Sequence, residues 1–134
     1  MYASGGEQER TCRTRDAIVL GLRSCRELMS ALRSLGVRTE PRELRSFLGV
    51  PEALLLRYLR GMLRGESARV AMFGHATSPG GRDELSEQAG VLDRIVRPAG
   101  RKLESWDRLL PYFAADGSAP ALQDGSRRLR LRLW

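Results

Sequence analysis

The run RELRSFLGVPEALLLRYLRG, residues 42–61, contains the chain's most concentrated chemistry. Arginine forks match phosphate oxygens and guanine edges, so their spacing on two short helices points to polyanion recognition. A helix opening at Pro51 presents Pro51, Glu52, Ala53, Leu56 and Arg57 at its start. Arg57 is the candidate for a bidentate contact to guanine, and Glu52 either accepts from a cytosine amine or repels phosphate. Arg42, Arg45, Arg60 and Arg64 are candidate phosphate clamps, with the Tyr58 hydroxyl as a further donor.

Elsewhere the reactive residue types are scattered. Cys12 and Cys25 form no CxxC pair and have no histidine nearby, so no zinc site is expected. Cys25 falls on an apolar helical face, where a buried thiol is the default. His75, the single histidine, lies in a Gly-Ser-Pro loop and reads as a surface residue. Ser78, Ser86 and Ser105 lack a nucleophile-elbow setting. Asp83, Glu84 and Glu87 suit a helix start through the dipole alone. The sequence therefore predicts no catalytic constellation, no metal and no cofactor.

The elements that must position the arginines follow from apolar periodicity. Residues 16–35 place Ile18, Leu22, Cys25, Met29 and Leu32 on one helical stripe, with Thr14 as N-cap and Gly36 as a left-handed stop. A second helix is expected over 41–48, with Leu44, Phe47 and Leu48 on its apolar face, ended by Gly49. The third runs from Pro51 to about Met62 or Leu63. Its buried positions are Leu55 and Leu59, with Tyr58 half buried. Residues 1–13 read as a flexible polar arm whose Arg10 and Arg13, with Arg15 beyond, are within reach of a phosphate backbone. Residues 14–65 form the helix-turn-helix domain, and residues 66–134 a C-terminal tail for dimer or partner contacts. In the tail, residues 68–74 are predicted as a short strand, 83–96 and 101–113 as amphipathic helices, and RRLRLRLW at 127–134 as a half-buried strand by its period of two. The fold class is mainly α: a trihelical unit, then a helical tail with one or two short strands.

The run ELRSFLGVPEALLLRYLRG resembles the N-terminal helix-turn-helix of archaeal phosphoribosyltransferase-like transcriptional regulators. The matching residues are Glu43 and Leu44, then Gly49, Val50 and Pro51, then Leu55, Arg57, Tyr58, Leu59, Arg60 and Gly61. The resemblance covers residues 16–65 and implies a sequence-specific DNA-binding regulator that inserts its third helix into a major groove. Arg45 replaces a small packing residue of that pattern, and Leu54 and Leu56 replace polar ones. Residues 66–134 are too few for the phosphoribosyltransferase-like domain, so nucleotide sensing is not implied.

The bulk numbers agree with a polyanion partner. Net charge is +7 and the isoelectric point about 10.6, with Lys102 the only lysine. The expected partners are double-stranded DNA and a second copy in a homodimer, with any small-molecule effector unknown. No membrane span or apolar leader is read, which predicts a cytoplasmic protein. The alternative is a protein-interaction module in which Leu54 and Leu56 form an apolar patch that does not bind DNA.

Overall fold

The computed structural model describes residues 1–38, 40, 49–78 and 80–132. The expected helix at 41–48, and with it Arg42 and Arg45, lies outside the described residues. Helix α1 spans Gln8–Arg13, α2 Arg15–Ser34 and α3 Glu52–Leu63. Helix α4 is a continuous run of an α-helical turn (Glu66–Ala68), a π-helical segment (Arg69–Gly74) and a second α-helical turn (His75–Thr77). Helix α5 spans Gly81–Val96 and α6 Glu104–Leu109, and 3₁₀ turns occupy Tyr2–Ser4, Arg97–Ala99 and Leu110–Phe113. The described residues are mainly helical and contain no strand.

Helix α2 is the axis of the molecule because both ends of it are apolar on different sides. Near its start, Ile18 and Val19 pack with Cys12 of α1, Leu56 and Leu63 of α3 and Phe73 of α4. Near its end, Leu28 and Ala31 pack with Ala89 and Val96 of α5 and with Leu103 and Trp106 at α6. Residues beyond 65 thus complete the core around α2 and are not an appendage to a finished trihelical unit. Gly36 stops α2 at φ 80°, as the sequence implies. The α6 N-terminus is capped by a carboxylate from α2: Ser105 N–H and Trp106 N–H both donate to Glu27, at 2.8 and 3.0 Å. That placement satisfies orphan donors and sets a negative charge at the positive end of the helix dipole.

Three expectations are corrected. The polar arm is not solvated. Tyr2, Ala3 and Ser4 are buried, the Tyr2 hydroxyl donates to Ala76 O at 2.9 Å, and α1 packs Thr11 and Cys12 inward. Residues 69–74 are π-helical, with Phe73 turned into the core, because helical spacing lets that ring reach Ile18 and Val19. Residues 127–132 form no strand and are irregular, with a bend at Leu129. Their backbone is held by side chains instead.

Two carboxylates hold it. Asp16, buried at the start of α2, accepts from Arg128 N–H at 2.7 Å, Leu129 N–H at 3.1 Å and the Ser126 hydroxyl at 2.6 Å. Glu52, the first residue of α3 and 0% exposed, accepts from Arg132 N–H at 2.8 Å. Arg23 grips the same Glu52 carboxylate with two bonds, Nε at 2.7 Å and Nη2 at 2.8 Å, and Arg26 stands 3.7 Å away. Arg15 and Arg23 in turn donate to Arg127 O, Leu129 O and Arg130 O of the strap.

Burial by itself would push the Glu52 carboxyl up, but the Arg23 hydrogen bonds, the Arg132 N–H and the charges of Arg23 and Arg26 outweigh it. The result lies below the usual glutamate range. Asp16 is lowered in the same way, against burial, by Ser126, Arg128, Leu129 and Arg15. A depressed folded-state carboxyl contributes stability that is complete above its unfolded value and is lost as pH falls through the folded one. Stability should therefore start to drop below about pH 4 and keep falling under it, and Asp16→Asn should flatten that acid limb in urea melts. Glu52→Gln should cost about 3–5 kcal/mol by leaving Arg23 unmatched, whereas the double change Arg23→Met, Glu52→Leu should cost much less.

Candidate nucleic-acid interface

The surface of α3 divides into three stripes. Leu55, Leu56, Leu59 and Leu63 turn inward, and Glu52 lies in the middle of their arc. Arg57, Arg60 and Arg64 follow the i, i+3, i+7 spacing and fall, with Ala53, within an arc of roughly 60° on the outer side. Leu54, Tyr58 and Met62 follow the i, i+4, i+8 spacing beside them and are well exposed, Leu54 at 61% and Tyr58 at 60%.

The sequence-predicted site is brought together in part. Ala53, Leu56, Arg57, Arg60, Gly61 and Arg64 line one shallow cleft of about 460 Å³. Two proposed contacts are withdrawn from it. Glu52 faces Arg23 inside the protein and so can neither accept from a base nor repel a phosphate. Leu56 is the cleft's floor, anchored in the core, and is not a groove-reaching side chain. Tyr58 is more exposed than half-buried packing requires.

Electrostatically the cleft is unbalanced. Arg57, Arg60 and Arg64 have no carboxylate partner among the described residues, although the chain pairs other arginines closely, such as Arg13 with Asp124 and Arg97 with Asp93 and Asp107. Arg60 is the most constrained. Among the described residues its buried Nε has no partner, and its Nη2 reaches the Arg13 carbonyl at 3.4 Å. Burial, followed by the charges of Arg127, Arg64 and Arg15, holds its guanidinium below the usual arginine value. The arm arginines do not join this surface freely: Arg10 donates to Leu122 O, Arg13 to Asp124 and Arg15 to the C-terminal strap.

Two small residues shape the cleft. Ala53 sits among the arginines and Gly61 between them and the exposed apolar stripe, and a Cβ built on Gly61 would meet nothing within 4 Å. No described residue requires glycine there, and glycine within a helix is destabilising by about 1 kcal/mol relative to alanine.

His75 and the acidic cluster prove to be neighbours, with His75 Nε2 3.4 Å from Glu84 on the exposed side of α5. No group of three or more His, Cys, Asp or Glu among the described residues could hold a metal ion. No helix among them is long and apolar enough to cross a membrane. Neither protein-family models, curated proteins nor solved structures yield a match to this chain.

Repulsion within the arginine cluster has a measurable consequence. Arg64→Gln should raise stability at low ionic strength by up to about 1 kcal/mol, and the gain should vanish near 1 M salt, where screening acts within roughly 3 Å. Thermal melts of the two proteins across a salt series check this.

Proposed function

We propose that the protein binds double-stranded DNA through the outer face of α3 and acts as a transcriptional regulator, with two copies engaging paired half-sites. The observation that carries this reading is the row Arg57, Arg60 and Arg64: three guanidinium groups on one face, without carboxylate partners among the described residues, around a cleft kept low by Ala53 and Gly61. A row of unmatched cations is destabilising for the free protein and favourable only against an anion. The small residues allow close approach of a phosphodiester backbone. Arg60 and Arg64 take the clamping role, and Arg57, further toward the helix start, takes the base-reading role. With Glu52 and Leu56 turned inward, direct readout rests on fewer side chains than the helix-turn-helix pattern suggests, and phosphate contact supplies most of the affinity.

A protein-interaction role is the second reading, favoured by the exposed stripe Leu54, Tyr58 and Met62. It is compatible with the first if that stripe is where the two copies meet.

Titration of random and genomic duplexes at two salt concentrations separates the readings. DNA binding predicts a log–log salt slope that shrinks by about 0.9 for each of Arg60→Gln and Arg64→Gln, and a loss of about 1–3 kcal/mol of preference for the best duplex in Arg57→Ala. Binding that none of the three substitutions alters would overturn the assignment to α3. Absence of duplex binding, together with self-association lost in Leu54→Glu, would favour the second reading.

A further inference from the structure

On the side of α3 opposite the arginines lies an open cavity of about 440 Å³ between α2, α3, α4 and α5. Its floor is α2, from Ala17 to Leu32, a length of about 22 Å at the helical rise of 1.5 Å per residue. The walls are Leu59 and Met62 of α3, Met72 and Phe73 of α4, and Leu92 of α5. Among the described residues no charged side chain lines it, and the one ionisable main-chain group there, the amino terminus of Met1, is held below its usual pKa by burial. The single hydroxyl, on Thr11, is already bonded to Glu7 O and to Ser4.

Three features mark this space as built, not merely unfilled. All four methionines of the chain, Met1, Met29, Met62 and Met72, line it. Methionine is flexible and polarizable, and such side chains reshape around a guest. Gly21 stands in the middle of the floor, within the longest helix, where glycine is destabilising by about 1 kcal/mol relative to alanine. A Cβ there would meet nothing within 4 Å, so no neighbour demands the glycine. Its missing side chain keeps the trough open. Lastly, Cys25 on the α2 floor, expected to be buried, is exposed in the open trough, and its desolvating surroundings push its thiol up.

We infer that this trough is a binding site for a neutral, aliphatic small molecule, an alkyl or acyl chain lying along α2. The lining side chains carry no charge to hold an ion, the Thr11 hydroxyl is engaged, and burial disfavours the charged form of the Met1 amino group, so a polar head group remains outside. A volume of about 440 Å³ lies within the usual range for small-ligand sites. Spread over the length of the α2 floor, it is narrow, which suits one extended chain better than a fused-ring ligand. The inference does not rest on DNA binding, and its test uses no DNA.

The probe is 1-decanol with the full chain, read by melting temperature and by the rate at which Cys25 reacts with an aromatic disulfide reagent. Cys12 is buried and serves as the slow internal reference. Decanol is expected to raise the melting temperature in a saturable way and to slow Cys25 labelling at least tenfold. Gly21→Leu fills the trough. It is expected to melt at or above the parent temperature and to lose both decanol responses, while Gly61→Ala, outside the trough, keeps them. If Gly21→Leu does not fold, Cys25→Leu makes the same comparison by melting temperature. Decanol responses that persist in the filled variant, or that are absent from the parent, overturn the site. So does concentration-dependent dimerisation that Gly21→Leu abolishes, since the occupant would then be a second copy.

Discussion

The buried carboxylate of Glu52 is the constraint on which the rest of the structure depends. It starts α3, yet it is fully enclosed, and it is tolerated there only because Arg23 meets it with two hydrogen bonds and the strap contributes a backbone N–H. A charge buried without those partners would be strongly unfavourable. The match therefore fixes the rotation of α3 about its axis. With Glu52 turned toward α2, Arg57, Arg60 and Arg64 must point outward and Leu59 and Leu63 must point inward. Asp16 does for the start of α2 what Glu52 does for α3, and the two together hold the strap at residues 126–132 against both helices.

This rotation lets a single short helix serve two surfaces of opposite chemistry. Toward solvent it exposes unmatched cations around small residues, and toward α2 it closes one wall of an uncharged trough. Met62 belongs to both the exposed apolar stripe and the trough wall. The π-helical segment of α4 completes the same wall, since it carries Met72 and Phe73 at the spacing that reaches it. Segments of this geometry often mark functional places in helices.

Much of this architecture was legible from the residues. Apolar spacing placed α2, α5 and α6 correctly, down to Leu103 and Trp106 in the core and the left-handed stop at Gly36. What the sequence hid was long-range. Tyr2 and Ala3 carry no periodic signal, and they are buried only because residues near 76 and 122 come to them. The alternation of RRLRLRLW predicts a strand, but over residues 127–132 no strand forms, because side-chain carboxylates rather than a neighbouring strand accept the N–H groups of Arg128, Leu129 and Arg132. At the candidate site, Arg57, Arg60 and Arg64 fell together as spacing required. The helix-turn-helix pattern puts Glu52 at the groove, whereas helical spacing puts it within the arc of Leu55, Leu56, Leu59 and Leu63, and it is the spacing that the fold follows. Cys25 was misread because its apolar stripe faces a trough and not a filled core.

The strap has a consequence for how the molecule comes into being. Asp16 receives its hydrogen bonds from Ser126, Arg128 and Leu129, and Glu52 adds the Arg132 N–H to the two from Arg23, so both carboxylates reach across most of the sequence. Before those residues are made, Glu52 has the Arg23 guanidinium but lacks the Arg132 amide, and Asp16 lacks the donors of Ser126, Arg128 and Leu129. Such wide sequence separation slows closure of a fold. Full enclosure of both carboxylates therefore waits on synthesis of the far segment.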